Sequence, residues 1–427
     1  MAVNRRNFML GTVGVGAFLL GVGAWLRPGD HGGPYSEYFR ALNKELKDHG
    51  PMRPVLLIDL DRLDHNIDVV MQSVRRGGKQ LRLVEKSLPS PGLLSYIAQR
   101  AGTQKLMSFH QPFLNHDAVM FPQSDILLGK PLPVRSAQLF YQTHKGPFDP
   151  AKQLQWLIDN PERLQQYLAL AQGLGTRMRI NIELDVGLHR GGISDVSVLG
   201  QMLALISANP QHLAFAGFMG YDPFVGMGVP GLLGSPEELF AKVMVIYQRC
   251  VDFTRQQFPA LWNDHLCLNT AGSPSYRIHE NETLSTEVSV GTAMLKPTHY
   301  DLPSLVDHVP ATYIATPVLK NTGAVNIPAL DDRSKLLSWW DVNQRQTFFI
   351  YGGNWMAEFE SPTGLQSNGV YGRSSNQEMV NGSDAVGLTV EDQVFLRPTQ
   401  TEAVLLQFGD LLAVRGGRIV DTWPVYS

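Results

Sequence analysis

The chain has 427 residues, of which 44% are hydrophobic and 18% charged, and its formal net charge is −3. This composition excludes a disordered chain, and the near-neutral charge leaves no broad basic surface, so we expect no nucleic-acid partner. The length exceeds what one ordinary hydrophobic core needs and favours a large barrel with a second, smaller domain.

Residues 1–30 have the pattern of an export signal or a membrane anchor. Arg5 and Arg6 form a twin-arginine pair, and an uncharged apolar run follows from Leu10 to Leu26. This order resembles a twin-arginine export signal, with Val22-Gly23-Ala24 as a candidate cleavage site. An N-terminal membrane anchor is the alternative, because the run is near the lower length limit for spanning a bilayer. We therefore expect a bacterial, periplasmic protein, anchored in the inner membrane if the signal is not cleaved.

Residues 31–302 alternate between helical patterns and short apolar runs. Residues 31–53 predict a polar connector with one amphipathic helix, around Tyr35 to Lys47, and residues 54–302 predict a (β/α)8 barrel of the TIM type. Helices are predicted, for example, at Gln201–Ala208 and Glu237–Gln257. An open doubly wound sheet is the alternative, but the G-x-G-x-x-G turn that usually follows its first strand is missing. The predicted barrel strands are Leu81–Lys86, Lys105–Phe109, Ile126–Leu128, Leu154–Ile158, Met178–Val186, Leu213–Tyr221, His265–Thr270 and Thr286–Val290.

Residues 303–427 predict a C-terminal β domain, which completes an α/β fold with two domains. Helical periodicity fades here, and Gly416-Gly417 predicts a tight hairpin turn because paired glycines permit positive φ angles. The apolar strand at 54–60, ahead of a helix that begins near Leu63, is a candidate to pair with this distant sheet. Tyr351–Gly387, rich in Gly, Ser and Asn, predicts long loops. Candidate strands are Thr347–Tyr351, Gln393–Leu396, Leu411–Val414 and Arg418–Val420.

Reactive and phosphate-binding residue types fall at the ends of the predicted barrel strands. Lys86 ends the first strand, where a partly desolvated lysine is a nucleophilic amine fit for a Schiff base. Arg190 follows the fifth strand. Gly272 and Ser273 follow the seventh strand and Gly291 the eighth, where barrels tend to bind phosphate. Each residue alone is weak evidence, but the combination predicts a phosphate-bearing ligand beside a reactive lysine.

From Pro54 onward the chain resembles the D-threonine aldolase and D-serine dehydratase group. These enzymes belong to the alanine-racemase-type, or fold type III, class that uses pyridoxal 5′-phosphate. The segments that carry the likeness are Pro54–Asp61, Arg82–Ser87, Glu183–Gly192 and Gly416–Pro424. The resemblance implies a small-molecule amino-acid substrate and a homodimer.

The resemblance also implies a role for each site residue. Lys86 would hold the cofactor as the internal aldimine and act as a catalytic base. Arg190 would face the pyridine nitrogen and disfavour its protonation. Tyr221 aligns with an active-site tyrosine. The phosphate would be held by Gly272, Ser273 and Gly291.

One departure from the family pattern concerns a metal site near the C-terminus. Relatives that cleave or dehydrate β-hydroxy amino acids carry a histidine there and, two residues later, an aspartate or cysteine. In this chain Gln400 replaces the histidine and Glu402 the second ligand. An amide oxygen is a poor substitute for imidazole with manganese or zinc, so a divalent metal is doubtful.

The leading functional hypothesis is a lyase that acts on D-configured β-hydroxy amino acids by retro-aldol cleavage or elimination. The second hypothesis is an amino-acid racemase, which needs a second base, commonly a tyrosine from a partner subunit; Tyr351 and Tyr371 are available. The third is a cofactor-binding protein without turnover. Cys250 and Cys267 are expected to be buried free thiols, although an oxidising compartment would permit a disulfide.

Overall fold

The structure is a computed structural model that describes residues 27–227, 234–327 and 331–426, without the side chains of 331–333 and 335. Most of the predicted export signal, residues 1–26, lies outside the described residues. Within the described ranges, no helix is long and apolar enough to cross a membrane. The residues form two compact units. Of the described residues, those within 56–313, 398–416 and 420–426 form the barrel unit, and those within 27–55, 314–397 and 417–419 form the sheet unit.

The strands are numbered β1 to β17 in chain order over the described residues. Strand β1 is Val55–Asp59. Strands β2 to β9 are Gln80–Val84, Lys105–Ser108, Asp125–Leu128, Leu154–Ile158, Met178–Leu184, Leu213–Gly220, Cys267–Thr270 and Glu287–Val290. Strands β10 to β17 are Thr312–Asn321, Gln346–Tyr351, Ala357–Ser361, Gln366–Ser367, Gln377–Gly382, Gln393–Pro398, Leu411–Arg415 and Arg418–Trp423.

The helices are numbered α1 to α11 over the same residues. They are Glu37–His49, Leu60–Arg76, Pro91–Ala101, Gln111–Met120, Val134–Thr143, Pro150–Gln153, Pro161–Leu174, Val196–Ala208, Phe224–Met227, Pro236–Gln257 and Asp331–Trp340. Several of these helices begin at a polar residue whose side chain caps free backbone N–H groups of the first turn. The side chains of Ser90 and Asn160, for example, accept the backbone N–H groups of the first turns of α3 and α7, each of which has proline at its beginning.

In the barrel unit, β2 to β9 close into a parallel eight-stranded barrel, and β9 pairs with β2. Helices follow most of these strands, so the predicted (β/α)8 barrel is confirmed. Each predicted strand is found, but several end one or two residues early. The chain after β2, for instance, leaves the sheet and forms the single 3₁₀ turn Glu85–Ser87. Strand β1 pairs in parallel with β16, with Leu56 opposite Leu411.

In the sheet unit, β10 pairs in antiparallel fashion with both β11 and β15. Strand β14 extends this sheet beyond β11, and β13 lies next to β14. Helix α1 packs on β15, with the ring centroids of Phe39 and Phe395 4.9 Å apart. The separate sheet domain predicted for the C-terminal part is confirmed.

The prediction of long loops for Tyr351–Gly387 is wrong in part, because β12, β13 and β14 lie there. Strand β14 carries polar residues that are buried with hydrogen-bond partners. The Asn381 side chain, for example, donates to Thr347 Oγ1 at 3.0 Å. The polar composition of this segment therefore predicted a loop, although the polar side chains of β14 have hydrogen-bond partners inside the sheet.

The two cysteines, Cys250 and Cys267, are both buried and free. This confirms the expectation of free thiols.

Candidate active site

A cavity lies at the carboxyl ends of the barrel strands, where cofactor and small-molecule sites of barrel enzymes are usually found. Residues after β2, β3, β4, β6, β7, β8 and β9 contribute to its wall, so most of the barrel opening faces one space. All six site residues predicted from the sequence line this cavity: Lys86, Arg190, Tyr221, Gly272, Ser273 and Gly291.

Lys86 enters the cavity from the 3₁₀ turn that follows β2. Its Nζ lies 3.3 Å from Oε1 of Glu402 and 5.1 Å from the ring centroid of Phe109. The side chain of Lys86 is 42% exposed, so its amine remains accessible to a ligand.

Arg190 is held at the cavity by a tight loop after β6. The Asp185 side chain accepts the backbone N–H groups of Gly187 at 3.0 Å and His189 at 2.9 Å, and it also contacts the His189 ring at 2.9 Å. The guanidinium carbon of Arg190 lies 4.8 Å from the ring centroid of Tyr221, a cation–π contact. Burial, and then the neighbouring Tyr300, raise the pKa of Tyr221, so its hydroxyl stays protonated and can donate a hydrogen bond.

The predicted phosphate cradle joins the segments after β8 and β9. The Ser273 hydroxyl accepts the N–H groups of Ala293 at 2.9 Å and Gly291 at 3.4 Å. A Cβ atom at Gly272 would lie 2.5 Å from the ring of Tyr221, and one at Gly291 would lie 2.8 Å from Cβ of Val84. Glycine is therefore required at both positions for this close packing.

A buried hydrogen-bond network supports this cradle from behind. The Ser275 hydroxyl accepts the N–H of Gly272 at 3.2 Å and donates to Asp222 Oδ1 at 2.6 Å. The other Asp222 oxygen contacts His279 Nε2 at 2.8 Å, and His279 Nδ1 lies 3.3 Å from Glu282. Burial acts to lower the pKa of His279, but the Asp222 carboxylate outweighs it and raises this pKa to about 9. The buried ion pair between Asp222 and His279 thus holds Asp222, the residue after Tyr221, in place against the loop that contains Gly272.

A chain of hydroxyl groups leads across the cavity wall to Glu402. The Thr292 hydroxyl donates to Ser87 Oγ at 2.8 Å, and the Ser87 hydroxyl donates to Glu402 Oε1 at 3.1 Å. Tyr300 hydrogen-bonds with Thr292 through its side chain, and burial raises the pKa of Tyr300. Sequence reasoning missed Ser87, Thr292 and Tyr300 as site residues, although each follows a barrel strand.

A second, outer cavity adjoins the first. The two share Lys86, Arg190 and Glu402 in their walls, and the outer cavity adds Lys130, Asp159 and Glu183. Burial, and then the negative charge of Asp159, raise the pKa of Glu183 to about 7. The outer cavity therefore carries both a cation and a carboxyl group that titrates near neutral pH.

Two buried carboxyl groups lie behind Lys86. The Ser108 hydroxyl donates to Glu85 Oε2 at 2.8 Å, and the Tyr426 hydroxyl donates to Asp117 Oδ1 at 2.6 Å. Their other oxygens, Glu85 Oε1 and Asp117 Oδ2, have no partner among the residues that the structure describes. Burial raises the pKa of both groups, to about 7 for Asp117, and the charge of Asp117 raises that of Glu85 further. The pair therefore retains a proton under conditions where exposed carboxyl groups have lost theirs.

The family model described as alanine racemase, N-terminal domain, matches residues 58–298, which is more than half of the chain. The chain belongs to the alanine racemase N-terminal domain family. The members of this fold family are pyridoxal phosphate-dependent enzymes, namely racemases, aldolases and dehydratases. No curated protein matches the chain in sequence.

Solved structures of this fold are similar to nearly the whole chain. D-threonine aldolase from Filomicrobium marinum has 15% sequence identity and a TM-score of 0.63, over 88% of this chain and 97% of that one. D-threo-3-hydroxyaspartate dehydratase from Delftia sp. HT23 has 15% identity and a TM-score of 0.64, over 87% and 97%. Alanine racemase from Bacillus anthracis has 16% identity and a TM-score of 0.63, over 87% and 97%. At these identities the likeness shows the fold alone.

The residues of the cavity fit the cofactor of the alanine racemase family. One space is lined by an accessible lysine amine, a hydroxyl on a glycine-rich loop and a permanent cation. Any side chain at positions 272 and 291 would collide with the surrounding wall. Because both residues are glycines, a phosphate can approach the backbone N–H groups of this loop closely. Lys86 would hold the cofactor covalently, and Ser273 would donate its hydroxyl proton to the phosphate.

The position of the expected metal ligands is also in this cavity wall, since Glu402 lines it. Over the described ranges, no group of three or more His, Cys, Asp and Glu residues could hold a metal ion. Glu402 itself contacts Lys86 and Ser87 instead. The sequence pattern identified this residue only as a substituted metal ligand and did not reveal its contact with the lysine.

Proposed function

We propose that the chain is a pyridoxal phosphate-dependent lyase that acts on D-configured β-hydroxy amino acids. The observation that carries this proposal is the convergence of Lys86, Arg190, Tyr221 and the Gly272–Ser273 loop on one cavity at the barrel mouth. The similar structures support the substrate class, because they include a D-threonine aldolase and a D-threo-3-hydroxyaspartate dehydratase.

Each of these residues has a chemical task in the proposed reaction. Pyridoxal phosphate, when bound, stabilises negative charge that develops at Cα of an amino acid. Lys86 binds the cofactor and afterwards exchanges a proton at Cα through its amine. Arg190 contributes a permanent positive charge next to Tyr221, and Tyr221 donates a hydrogen bond from its protonated hydroxyl. The outer cavity gives room for the substrate side chain, and Lys130 supplies a cation there for a carboxylate.

A substrate screen tests this proposal. The protein, loaded with pyridoxal phosphate, is incubated with D-threonine, D-serine and D-alanine, with and without manganese, and the products are identified by chiral chromatography. We expect glycine and an aldehyde, or a keto acid and ammonia, from the β-hydroxy substrates. The absence of any product and of any change in the cofactor spectrum would contradict a catalytic role and favour a cofactor-binding protein.

A racemase is the second candidate. Tyr351 and Tyr371 of the sheet unit are 44% and 49% exposed, so both are available to a neighbouring subunit. Conversion of D-alanine to L-alanine in the same screen, lost in Tyr351→Phe or Tyr371→Phe, would favour this function over the lyase.

We further propose that the protein is a homodimer exported to the periplasm through residues 1–30. Sedimentation analysis of the mature chain tests the dimer. A reporter that is active only after export, fused behind residues 1–30, tests the signal, and replacement of Arg5 and Arg6 by lysine should abolish its activity. Reporter activity that remains in the membrane fraction would favour an uncleaved anchor.

A further inference from the structure

We infer that Glu402 is a catalytic carboxylate that takes the proton of the substrate's β-hydroxyl group during retro-aldol cleavage. This inference rests on the proposed lyase function and deepens it, because it selects cleavage of the Cα–Cβ bond and names the base.

The first support is the position of Glu402. It lines both the inner cavity, which holds Lys86 and the glycine-rich loop, and the outer cavity, which extends toward Lys130 and Glu183. A substrate whose amino group would replace the Lys86 amine on the cofactor, and whose side chain extends into the outer cavity, must pass the shared wall. Its β-carbon is only two bonds from the amino nitrogen. The β-hydroxyl group is therefore within reach of a carboxylate that lies 3.3 Å from the Lys86 amine.

The second support is the way the carboxylate is held. Lys86 Nζ and the Ser87 hydroxyl both contact Oε1 of Glu402, at 3.3 and 3.1 Å. These two contacts fix one oxygen and leave Oε2 for a substrate. The side chain is 31% exposed, as expected for a group that must meet a ligand.

The third support is charge. Among the described residues that line the inner cavity, only Glu402 has an acidic side chain, and it lies there with the cations Lys86 and Arg190. The other acidic or hydroxyl candidates suit this role less. Tyr221 keeps its proton because burial raises its pKa, and Glu183 lies in the wall of the outer cavity alone.

The proposed step balances in atoms and charge. Glu402 accepts the proton of the β-hydroxyl, and the electron pair of that O–H bond forms the second bond of the aldehyde carbonyl. The Cα–Cβ bond breaks, and its electron pair remains with Cα. A proton from Lys86 then adds to Cα and gives glycine bound in the site. Glu402 returns its proton to Lys86, with which it is in contact, so one D-threonine yields one glycine and one acetaldehyde.

The experiment compares wild type with Glu402→Gln, Glu402→Asp and the control Asp264→Asn, an exposed carboxylate in a turn away from the cavity. Each full-length protein is loaded with pyridoxal phosphate, and cofactor attachment is measured by borohydride reduction and peptide mass. Cleavage of D-threonine is measured with and without manganese. Exchange of the glycine Cα proton in deuterated water, which needs no hydroxyl base, is measured by NMR.

We expect Glu402→Gln to retain the cofactor on Lys86 and to lose far less of its glycine-exchange rate than of its cleavage rate, because exchange removes no hydroxyl proton. Its cleavage of D-threonine should fall by about 10²–10⁴-fold, the usual contribution of a positioned base. Glu402→Asp should recover part of the cleavage, and Asp264→Asn should match wild type in all three measurements.

Three results would overturn the role of Glu402 while the cofactor site stands: undiminished cleavage by Glu402→Gln, an equal loss of cleavage and glycine exchange, or cofactor-loaded wild type that cleaves no D-threonine. Stoichiometric manganese binding by wild type that Glu402→Gln abolishes would overturn it too, because Glu402 would then be a metal ligand. Wild type that carries no cofactor on Lys86 would overturn the proposed function itself.

Discussion

The two ends of the barrel differ in how completely their charged side chains are paired. At the end where the strands begin, Arg82 is completely buried and its guanidinium contacts Asp125 Oδ1 at 2.7 Å and Glu287 Oε2 at 3.0 Å. Lys105 lies 2.9 Å from Glu287, and Arg179 lies 3.2 Å from Asp125. Burial acts to raise the pKa of Glu287, but Arg82 and Lys105 outweigh it and lower this pKa. Every charge of this cluster has an opposite charge in contact.

At the end where the strands finish, the charges are incompletely paired. Lys86 keeps 42% of its side chain exposed, and its ion pair with Glu402 faces a cavity. Behind it, Glu85 and Asp117 each leave one buried oxygen without a partner among the described residues. Complete pairing is what a structural cluster requires, whereas accessible or poorly compensated groups are typical of a site that binds a ligand.

The largest effect on stability is expected at the strand-start end of the barrel, where every charged side chain of the cluster around Arg82 is paired. Glu287→Gln would leave the buried Arg82 and the half-buried Lys105 with less compensating charge and should lower the free energy of unfolding by about 3–5 kcal/mol. Urea unfolding monitored by circular dichroism measures this loss. The matched control is Glu280→Gln, which removes a surface pair with Arg76 at 2.8 Å and should cost less than about 1 kcal/mol. Equal losses of unfolding free energy in the two variants would contradict a stabilising role for the charge cluster around Arg82.

An intermediate effect is expected in the network behind the glycine loop. Asp222→Asn removes the charge that stabilises protonated His279 and weakens the hold on Ser275 and Gly272. A lost charge-assisted hydrogen bond costs about 1.5–3 kcal/mol, so binding of pyridoxal phosphate to the apoprotein should weaken about tenfold or more. Fluorescence titration with the cofactor measures this affinity without catalysis.

The control for this network is Glu282→Gln, which changes the other partner of His279 without touching the loop. It should alter stability more than cofactor affinity. If Asp222→Asn changed stability alone and left the affinity at the wild-type value, the network would be structural and would not position the cradle.

The smallest change per unit of pH, which accumulates over several pH units, is expected from the buried acid pair. Asp117 has a folded-state pKa of about 7 against an ordinary value of 3.8, so the folded protein binds a proton that the unfolded chain releases. This contribution is fully present below the ordinary pKa and is lost as the pH rises through about 7. Stability should therefore fall by up to about 1.4 kcal/mol per pH unit between these values.

Asp117→Asn should flatten this dependence, because the amide does not titrate and its oxygen can still accept from Tyr426. Unfolding curves recorded for both proteins at several pH values between the ordinary and the folded-state pKa measure the difference in slope. Identical slopes would show that the pair does not hold an extra proton.

The barrel and most of the cavity were predictable from the sequence because their signals are local. Apolar runs at regular spacing predict the eight strands. Lys86 and Gly272 lie two residues after the end of a strand, and Arg190 lies in the loop that follows another. Strand β14 was not predictable, because its buried polar residues look like a loop until their partners are known.

Contacts between residues that are far apart in the sequence could not be predicted either. Asp117 and Tyr426 are 309 positions apart, and Ser87 and Glu402 are 315 positions apart. No periodicity or motif links such pairs. Glu402 was therefore recognised only as a replaced metal ligand, and its contact with Lys86 emerged from the fold.

The central claim is that Lys86 holds the cofactor, and borohydride reduction followed by peptide mapping tests it most directly. The protein is loaded with pyridoxal phosphate and reduced, and the modified peptide is identified by mass spectrometry in wild type, Lys86→Ala and Lys130→Ala. Lys130 is the control, since it lines the outer cavity and not the inner one. We predict modification of the peptide that contains Lys86 in wild type and Lys130→Ala, and none in Lys86→Ala. Modification of another lysine, or the same modification in Lys86→Ala, would contradict the claim.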